Sequence, residues 1–316
     1  MNQFINNLAL VAPMYVLIVL GYLLLRVVGW PASISEGLTR FVFSVALPAT
    51  LFHMMTSLAH LPPVDARLLI AFFGGCLLVF VIGRLIASRL FHLNGEEQTV
   101  FALGGIFSNN LLLGVPFAKK LLGDVSLPSV ALVLTFNSLI LWSLVTVSIE
   151  WARHGNLSVR GIGKTAKAVV TNPIVVAIFS GTLYGMTGWT LPDFAEQSLD
   201  MMSSAAMPLA LIALGMGLAE FRSGGGWGIS WAICFVKLVV QPLVVWGLAV
   251  LLKLPLIETQ VVVLLASIAV GANVFLMARQ FKVIEGPAAG SLLLSTALSG
   301  VSSPLLVSLI SHYSTR

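Results

Sequence analysis

The sequence predicts an all-α polytopic membrane protein of ten transmembrane helices, arranged as two inverted five-helix repeats in which helices 4 and 9 are broken. Three observations carry that reading. Of 316 residues, 58% are hydrophobic and only 9% are charged, with a mean hydropathy of +1.00; a soluble domain carries about 25% charged residues. Apolar stretches near the length of ~20 residues that spans a bilayer recur at 8–28, 38–58, 66–88, 98–122, 127–150, 166–188, 198–219, 228–252, 259–281 and 288–311. Two of these stretches, the fourth and the ninth, are interrupted in their middles by residues that a helix in hydrocarbon avoids.

In the first span, Leu8–Val28, no basic segment or small-residue cleavage site precedes the apolar run, so it is expected to be a retained helix and not a signal peptide. The second span contains FVFSVALPATLF, and Pro48 at its centre is expected to break or hinge the helix. His53, five residues on, reads either as a buried structural histidine or as a proton-linked group, since its ordinary pKa lies near physiological pH. Cys76 in the third span and Cys234 in the eighth belong to no CxxC or Cys/His cluster and read as small buried side chains.

The fourth span contains Phe107–Pro116, FSNNLLLGVP, in which Ser108, Asn109 and Asn110 are followed by Gly114 and Pro116. Gly and Pro weaken the helical hydrogen-bond ladder, and adjacent amides in hydrocarbon are costly unless satisfied. Irregular backbone survives at membrane depth only where protein buries it or where it lines a watery cavity. The fifth span adds Asn137. The most polar linker, Trp151–Thr165, is the natural midpoint and divides the chain into repeats at 1–155 and 156–316. With five spans on each side, the second set enters from the opposite face of the membrane, so a repeat must be inverted. Pro13, Gly21 and Pro48 recur as Pro173, Gly181 and Pro208, each 160 residues on, and Asn273 follows Asn110 by 163. Pro208 is expected to mark a hinge like Pro48. The eighth span holds Lys237, Gln241 and Pro242; the ninth holds Ala269–Ala278, AVGANVFLMA, with Gly271 and Asn273 inside the apolar run.

Basic residues set the orientation. Arg26, Arg40, Arg84, Arg89, Arg153, Arg160, Lys164, Lys167, Arg222, Arg279 and Lys282 fall on one side of the membrane, and Arg67, Lys119, Lys120, Lys253 and Arg316 on the other. The richer side is cytoplasmic, which puts both termini outside. This accounts for the net charge of +5 without nucleic acid as a partner; the partner implied is the lipid bilayer.

Interrupted helices in corresponding positions of two halves point to a secondary transporter's substrate site. The second half of a broken helix exposes N–H groups at a partially positive end, which suits a carboxylate. Asn110 and Asn273 are the leading substrate-binding candidates, with Asn109, Ser108, Gly271 and Asn137 beside them; the same amides could instead only satisfy carbonyls freed by the breaks. Lys237 lies near the middle of its span, where a charge costs several kcal/mol, and no Asp or Glu occupies the middle of any span. It either faces an anion, together with Gln241 on the same helical face, or snorkels or bonds a carbonyl. Gly114, Pro116, Pro48 and Pro208 are candidate hinges or breaks. No metal site and no cofactor is indicated, and the coupling ion, Na+ or H+, stays open, since backbone carbonyls at the breaks could hold sodium and His53 could carry a proton.

FVFSVALPATLF, the KLVVQP of Lys237–Pro242 and GANVFLMARQF in the ninth span resemble the auxin efflux carrier family, and most closely its bacterial malonate-transporter-like branch. That resemblance implies helices 4 and 9 that cross at their breaks, a scaffold of helices 1, 2, 6 and 7 that forms a homodimer, and a transport domain of helices 3–5 and 8–10. It also implies an elevator-like carrier of a small carboxylate, with malonate the leading substrate, in the cytoplasmic (inner) membrane of a bacterium. Where the family commonly has Gly and Thr at the fourth helix's break, this chain reads SNNLLLG. The alternative is an anion sensor or channel without active transport. An enzyme is not expected, because no HExxH, GxSxG or pair of membrane aspartates is present.

The orientation is testable with cysteine labelling, since both native cysteines are expected to be buried. Asn156→Cys should resist a membrane-impermeant thiol reagent in intact cells, and Lys253→Cys should react; the reverse pattern would invert the topology.

Overall fold

The computed structural model describes residues 2–56, 64–154, 173–220 and 225–313. Helices in chain order are α1 (Asn2–Arg26), α2 (Ala32–Phe41), α3 (Leu47–Thr56), α4 (Arg67–Phe91), α5 (Gly95–Ile106), α6 (Val115–Leu122), α7 (Leu127–His154), α8 (Pro173–Met186), α9 (Asp193–Glu220), α10 (Trp227–Phe235), α11 (Gln241–Leu251), α12 (Leu256–Ser267), α13 (Ala272–Phe281) and α14 (Glu285–Tyr313). Among the described residues, six stretches are long and apolar enough to cross a membrane: Ile5–Arg26, Ala32–Thr56, Arg67–Phe91, Asp193–Glu220, Trp227–Leu251 and Glu285–Ile310. The other predicted spans fall on helices that are shorter, interrupted or described only in part. The span 98–122 falls on α5 and α6 with the break between them, 127–150 on α7, the described part of 166–188 on α8, and 259–281 on α12 and α13 with the break between them. From residue 155 onward, the linker taken as the midpoint is outside the described residues.

Two of the long stretches are joined through one π-helical turn each, Val42–Ala46 between α2 and α3 and Val236–Val240 between α10 and α11; a third, Asn110–Gly114, leads into α6. Each turn ends two residues before a proline: Pro48, Pro116 and Pro242. Proline lacks an N–H and clashes with the carbonyl four residues back, and in all three cases that carbonyl lies inside the widened turn. A single π turn absorbs the clash without ending the helix. Pro48 therefore marks a local widening, and Pro208 lies within the uninterrupted α9.

The side chains are solvated as a lipid environment requires. On α4, Ile70, Leu77, Leu78, Val81 and Leu85 are exposed, while Leu68, Phe72, Cys76, Val79 and Ala87 are buried on the opposite face. Both stripes are apolar, so the outer one needs a hydrocarbon solvent.

The helices gather into two compact units. One comprises Ala12–Val64 and Ala166–Phe221, hence most of α1 together with α2, α3, α8 and α9. Its helices approach through glycine. A Cβ on Gly21 of α1 would strike the carbonyl of Ile212 in α9, and one on Gly181 of α8 would come within 2.6 Å of the carbonyl of Phe52 in α3. Small residues permit such backbone contact, which substitutes in lipid for hydrophobic driving force.

The other unit comprises Met1–Val11, Asp65–Thr165 and Arg222–Arg316, with α4–α7 and α10–α14. Asn94 caps α5 with a reciprocal box: its side chain accepts from Glu96 N and Glu97 N, and the Glu97 carboxylate accepts from Asn94 N at 2.9 Å. Arg84 of α4 donates to Ser148 of α7 at 2.5 Å, to Thr99 of α5 at 3.3 Å and to Gln98 at 3.4 Å, tying three helices near one end of the unit. At the start of α4, the Arg67 guanidinium hydrogen-bonds Asp65 and holds its carboxyl below the ordinary range. The interior of this unit is occupied by the broken helices themselves. Val261–Ser267 of α12 and Val100–Ile106 of α5 are buried throughout, and in α5 a Cβ on Gly104 or Gly105 would come within 2.6 Å of Ile233 or Val236.

Gly21→Val and Gly181→Val should each lower the stability of the purified protein by about 1–3 kcal/mol, as overpacking does. Gly217→Ala on α9, where a Cβ meets only open space, should leave the thermal midpoint unchanged.

Candidate functional site

Helix α5 ends at Ile106, after which Phe107 is extended (φ −85°, ψ 102°) and Asn109 leaves the helical region (φ −76°, ψ 57°) before the turn at Asn110. Helix α12 ends at Ser267, Ile268 is extended (φ −76°, ψ 157°), and helix resumes at Ala272. The first of these two interruptions lies at Phe107–Asn109, upstream of Gly114 and Pro116. Those two sit in the π turn and in the first turn of α6, where a missing N–H costs little.

The two breaks meet. Ser108 and Val270 form an antiparallel β-bridge, in which Asn109 N donates to Ala269 O at 2.9 Å and Gly271 N donates to Phe107 O at 2.8 Å. Gly271 is required by this approach: a Cβ there would come within 2.9 Å of the Phe107 ring and 3.2 Å of Ser108 O.

Further carbonyls and amides freed at the breaks are taken by side chains. Gln241 Nε2 donates to Ile106 O at 3.0 Å and touches Cys76 Sγ at 3.4 Å. The Lys237 ammonium, with no exposed surface, donates to Ala266 O at the end of α12. Ser303 Oγ donates to Ser267 O at 3.0 Å, and Ser295 Oγ accepts from Val270 N at 2.9 Å. Of the two readings the sequence left for Lys237, the bond that the structure contains is the one to a carbonyl.

The crossing gathers most of the residues singled out in the sequence. Asn110 Nδ2 donates to Asn137 Oδ1 at 3.5 Å, so the amide of α7 reaches the break. Ser108, Asn109, Asn110 and Asn137 are buried, and Asn273, in the first turn of α13, is half-buried. Four side-chain atoms at the crossing have no hydrogen-bond partner among the described residues: Ser108 Oγ, Asn109 Nδ2, Asn110 Oδ1 and Gln241 Oε1. A buried polar atom left alone costs about 1–3 kcal/mol, so such a cluster is costly unless it serves a ligand. Asn109 Nδ2 and the Ser108 hydroxyl can donate to an anion, and the first N–H groups of each second half-helix have no intrahelical acceptor. His53 lies elsewhere, in the unit of α1–α3, α8 and α9, with Nδ1 3.4 Å from Asp200 Oδ1. Pro48 and Pro208 belong to that unit as well.

The family model described as membrane transport protein matches residues 8–307. The chain belongs to that family. It is the auxin efflux carrier family that the sequence motifs resemble, a family of transporters and not of enzymes. A protein of Rhizobium meliloti (strain 1021) named "putative malonate transporter" is 27% identical over 298 residues, covering 92% of this chain and 91% of its own. An uncharacterized transporter of Methanocaldococcus jannaschii is 22% identical over 297 residues, 89% of this chain and 94% of that one. Auxin efflux carrier component 8 of Arabidopsis thaliana is 20% identical over 323 residues, covering 85% and 88%.

Sequence reasoning missed the serines that stabilise the second break. Ser291, Ser295, Ser299 and Ser303 recur every four residues along α14 and so share one face; that period was the available signal. Ser295→Ala leaves the Val270 N–H buried without its acceptor and should cost about 1–3 kcal/mol of stability. Ser302→Ala, whose hydroxyl has no partner among the described residues, should be neutral in the same thermal-unfolding assay.

Proposed function

We propose that this chain is a secondary transporter that carries a small organic anion, a mono- or dicarboxylate with malonate the first candidate, across the cytoplasmic membrane by alternating access. The observation that carries the reading is the bridge between Ser108 and Val270, which sets two half-helix N-termini and the amides of Asn109, Asn110 and Asn137 around one buried point. Partially positive helix ends and neutral donors favour a carboxylate over a cation. The name of the Rhizobium relative supports malonate among carboxylates.

In this reading the ten spans form two inverted repeats. The reciprocal glycine contacts support it. Gly21 meets Ile212 and Gly181 meets Phe52, so that adding 160 to both members of Gly21 and Phe52 gives Gly181 and Ile212. The unit holding the crossing serves as the transport domain, and that of α1–α3, α8 and α9 as the scaffold through which a homodimer forms. The cargo and its cradle then move together, elevator-like, with both termini outside a bacterial inner membrane. Substrate contacts fall to Asn110, Asn273, Asn109 and Ser108, with Gly271 allowing the approach and Asn137 orienting Asn110.

Uptake of radiolabelled malonate into proteoliposomes tests this. Asn110→Ala and Asn273→Ala should each weaken uptake by about 10–100-fold, the worth of a hydrogen bond to a charged group, with expression near that of the parent. Unchanged uptake removes the residue from the site. Saturable binding to the parent without accumulation or exchange favours a sensor, and non-saturable flux favours a channel.

A further inference from the structure

Away from the crossing, a second charge lies below the ends of the helices. Arg84 sits two turns, about 10 Å, before the end of α4 at Phe91, and Thr99, which it contacts, about 6 Å inside the start of α5 at Gly95. At this level α4 and α5 run close together: a Cβ on Gly83 would lie 3.0 Å from Ala102 Cα. The half-buried guanidinium reaches over that contact to three neutral acceptors, Ser148 Oγ at 2.5 Å, Thr99 Oγ1 at 3.3 Å and Gln98 Oε1 at 3.4 Å. Thr99 has no exposed surface, and its hydroxyl donates to Gly95 O at 2.9 Å and lies 2.9 Å from Ser148 Oγ.

What this set lacks is a counter-charge. Among the described residues no carboxylate lies within ion-pair distance of Arg84; the ion pairs are His53–Asp200, Arg67–Asp65 and Lys119–Asp124. The Glu97 carboxylate on the first turn of α5 is spent on Asn94 N. A guanidinium does not give up its proton, and removing it from water without an opposite charge is costly. Nor is its hydrogen bonding complete. Of the five N–H groups in its fork, these bonds take both on Nη1 and one on Nη2; Nε and the second N–H of Nη2 bond to no described residue. Around Arg84 on α4, Val81, Ile82 and Leu85 are exposed, and they belong to the stripe whose solvent is hydrocarbon. An anion that completes the fork from that side arrives on a molecule of the bilayer.

We propose that Arg84 holds the phosphodiester of an anionic phospholipid, whose acyl chains lie along Val81 and Leu85 of α4. Arginine's planar fork matches phosphate oxygens in pairs, where an ammonium offers only a point charge. The lipid supplies the negative charge that α4, α5 and α7 do not, and by holding the guanidinium in place it steadies the bonds from Arg84 to Thr99 and Ser148. The site is independent of the transporter reading: it requires a bilayer, and neither a cargo nor a cycle.

Thermal unfolding of the delipidated full chain in detergent tests this, with three probes at equal ionic strength: dioctanoyl phosphatidylglycerol, dioctanoyl phosphatidylcholine and inorganic phosphate. The parent's midpoint should rise saturably with phosphatidylglycerol, rise less with phosphatidylcholine at the same concentration, and not respond to phosphate. In Arg84→Gln the half-saturating concentration of phosphatidylglycerol should increase about tenfold or more, and in Arg84→Lys by an intermediate factor, because the charge stays and the fork is lost. Lys120→Gln, which removes an exposed charge from the end of α6, should titrate like the parent. Equal responses to the two lipids, or an Arg84→Gln titration that superimposes on the parent's, overturns the proposal. A phosphate response that matches phosphatidylglycerol overturns the lipid as the source of the anion. If Arg84→Gln is too unstable to purify, Arg84→Lys and the parent's order of preference among the three probes decide.

Discussion

Every peptide group inside a bilayer must find a partner within the protein, and the rest of this structure follows from that requirement at two places. Breaking a helix at membrane depth releases donors and acceptors that hydrocarbon cannot solvate. At residues 107–109 and 268–271 the solution is largely mutual: each break pairs with the other through Asn109 N to Ala269 O and Gly271 N to Phe107 O. Of what the bridge leaves over, Ala266 O, Ile106 O, Val270 N and Ser267 O are met from outside by Lys237, Gln241, Ser295 and Ser303. The surrounding helices therefore serve two ends, keeping lipid away and completing the hydrogen bonding.

The same requirement explains why the polar cluster at the crossing stands out. Elsewhere in this unit, several hydroxyls on helices return to carbonyls three or four residues back, as Thr99 does to Gly95 O and Thr296 to Leu292 O. Ser108, Asn109 and Asn110 sit where the backbone no longer offers such carbonyls, so their side chains project polar atoms that nothing nearby satisfies. Local geometry, more than residue type alone, turns ordinary amides into candidates for recognition.

Much of this was legible in the residues. Membrane class followed from composition. The two interruptions followed from SNN and from the Gly271–Asn273 pair, since amides in mid-span are too costly to keep where the backbone stays regular and lipid-facing. Family motifs along the chain pointed to the membership that the match over residues 8–307 bears out. Less legible was where the chain breaks. Gly114 and Pro116 look like the breakers, yet the polar triplet ahead of them leaves the helix first and the proline is absorbed by a π turn. Pro208 gave no signal to separate it from Pro48, because whether a proline widens its helix depends on how the neighbouring carbonyls are met. The partners of Lys237 and Gln241 were also hidden, being backbone atoms far away in sequence, and a carbonyl carries no residue-type signature.

The spacing of Lys237 and Gln241 has a mechanical meaning. Four residues apart on one rod, they grip the ends of two separate half-helices, so neither end can slide without dragging the rod and, through it, the other. The crossing is thus yoked at two points through one helix. On the carrier reading proposed above, a site held this way favours displacement of the block whole over a parting of its two lips.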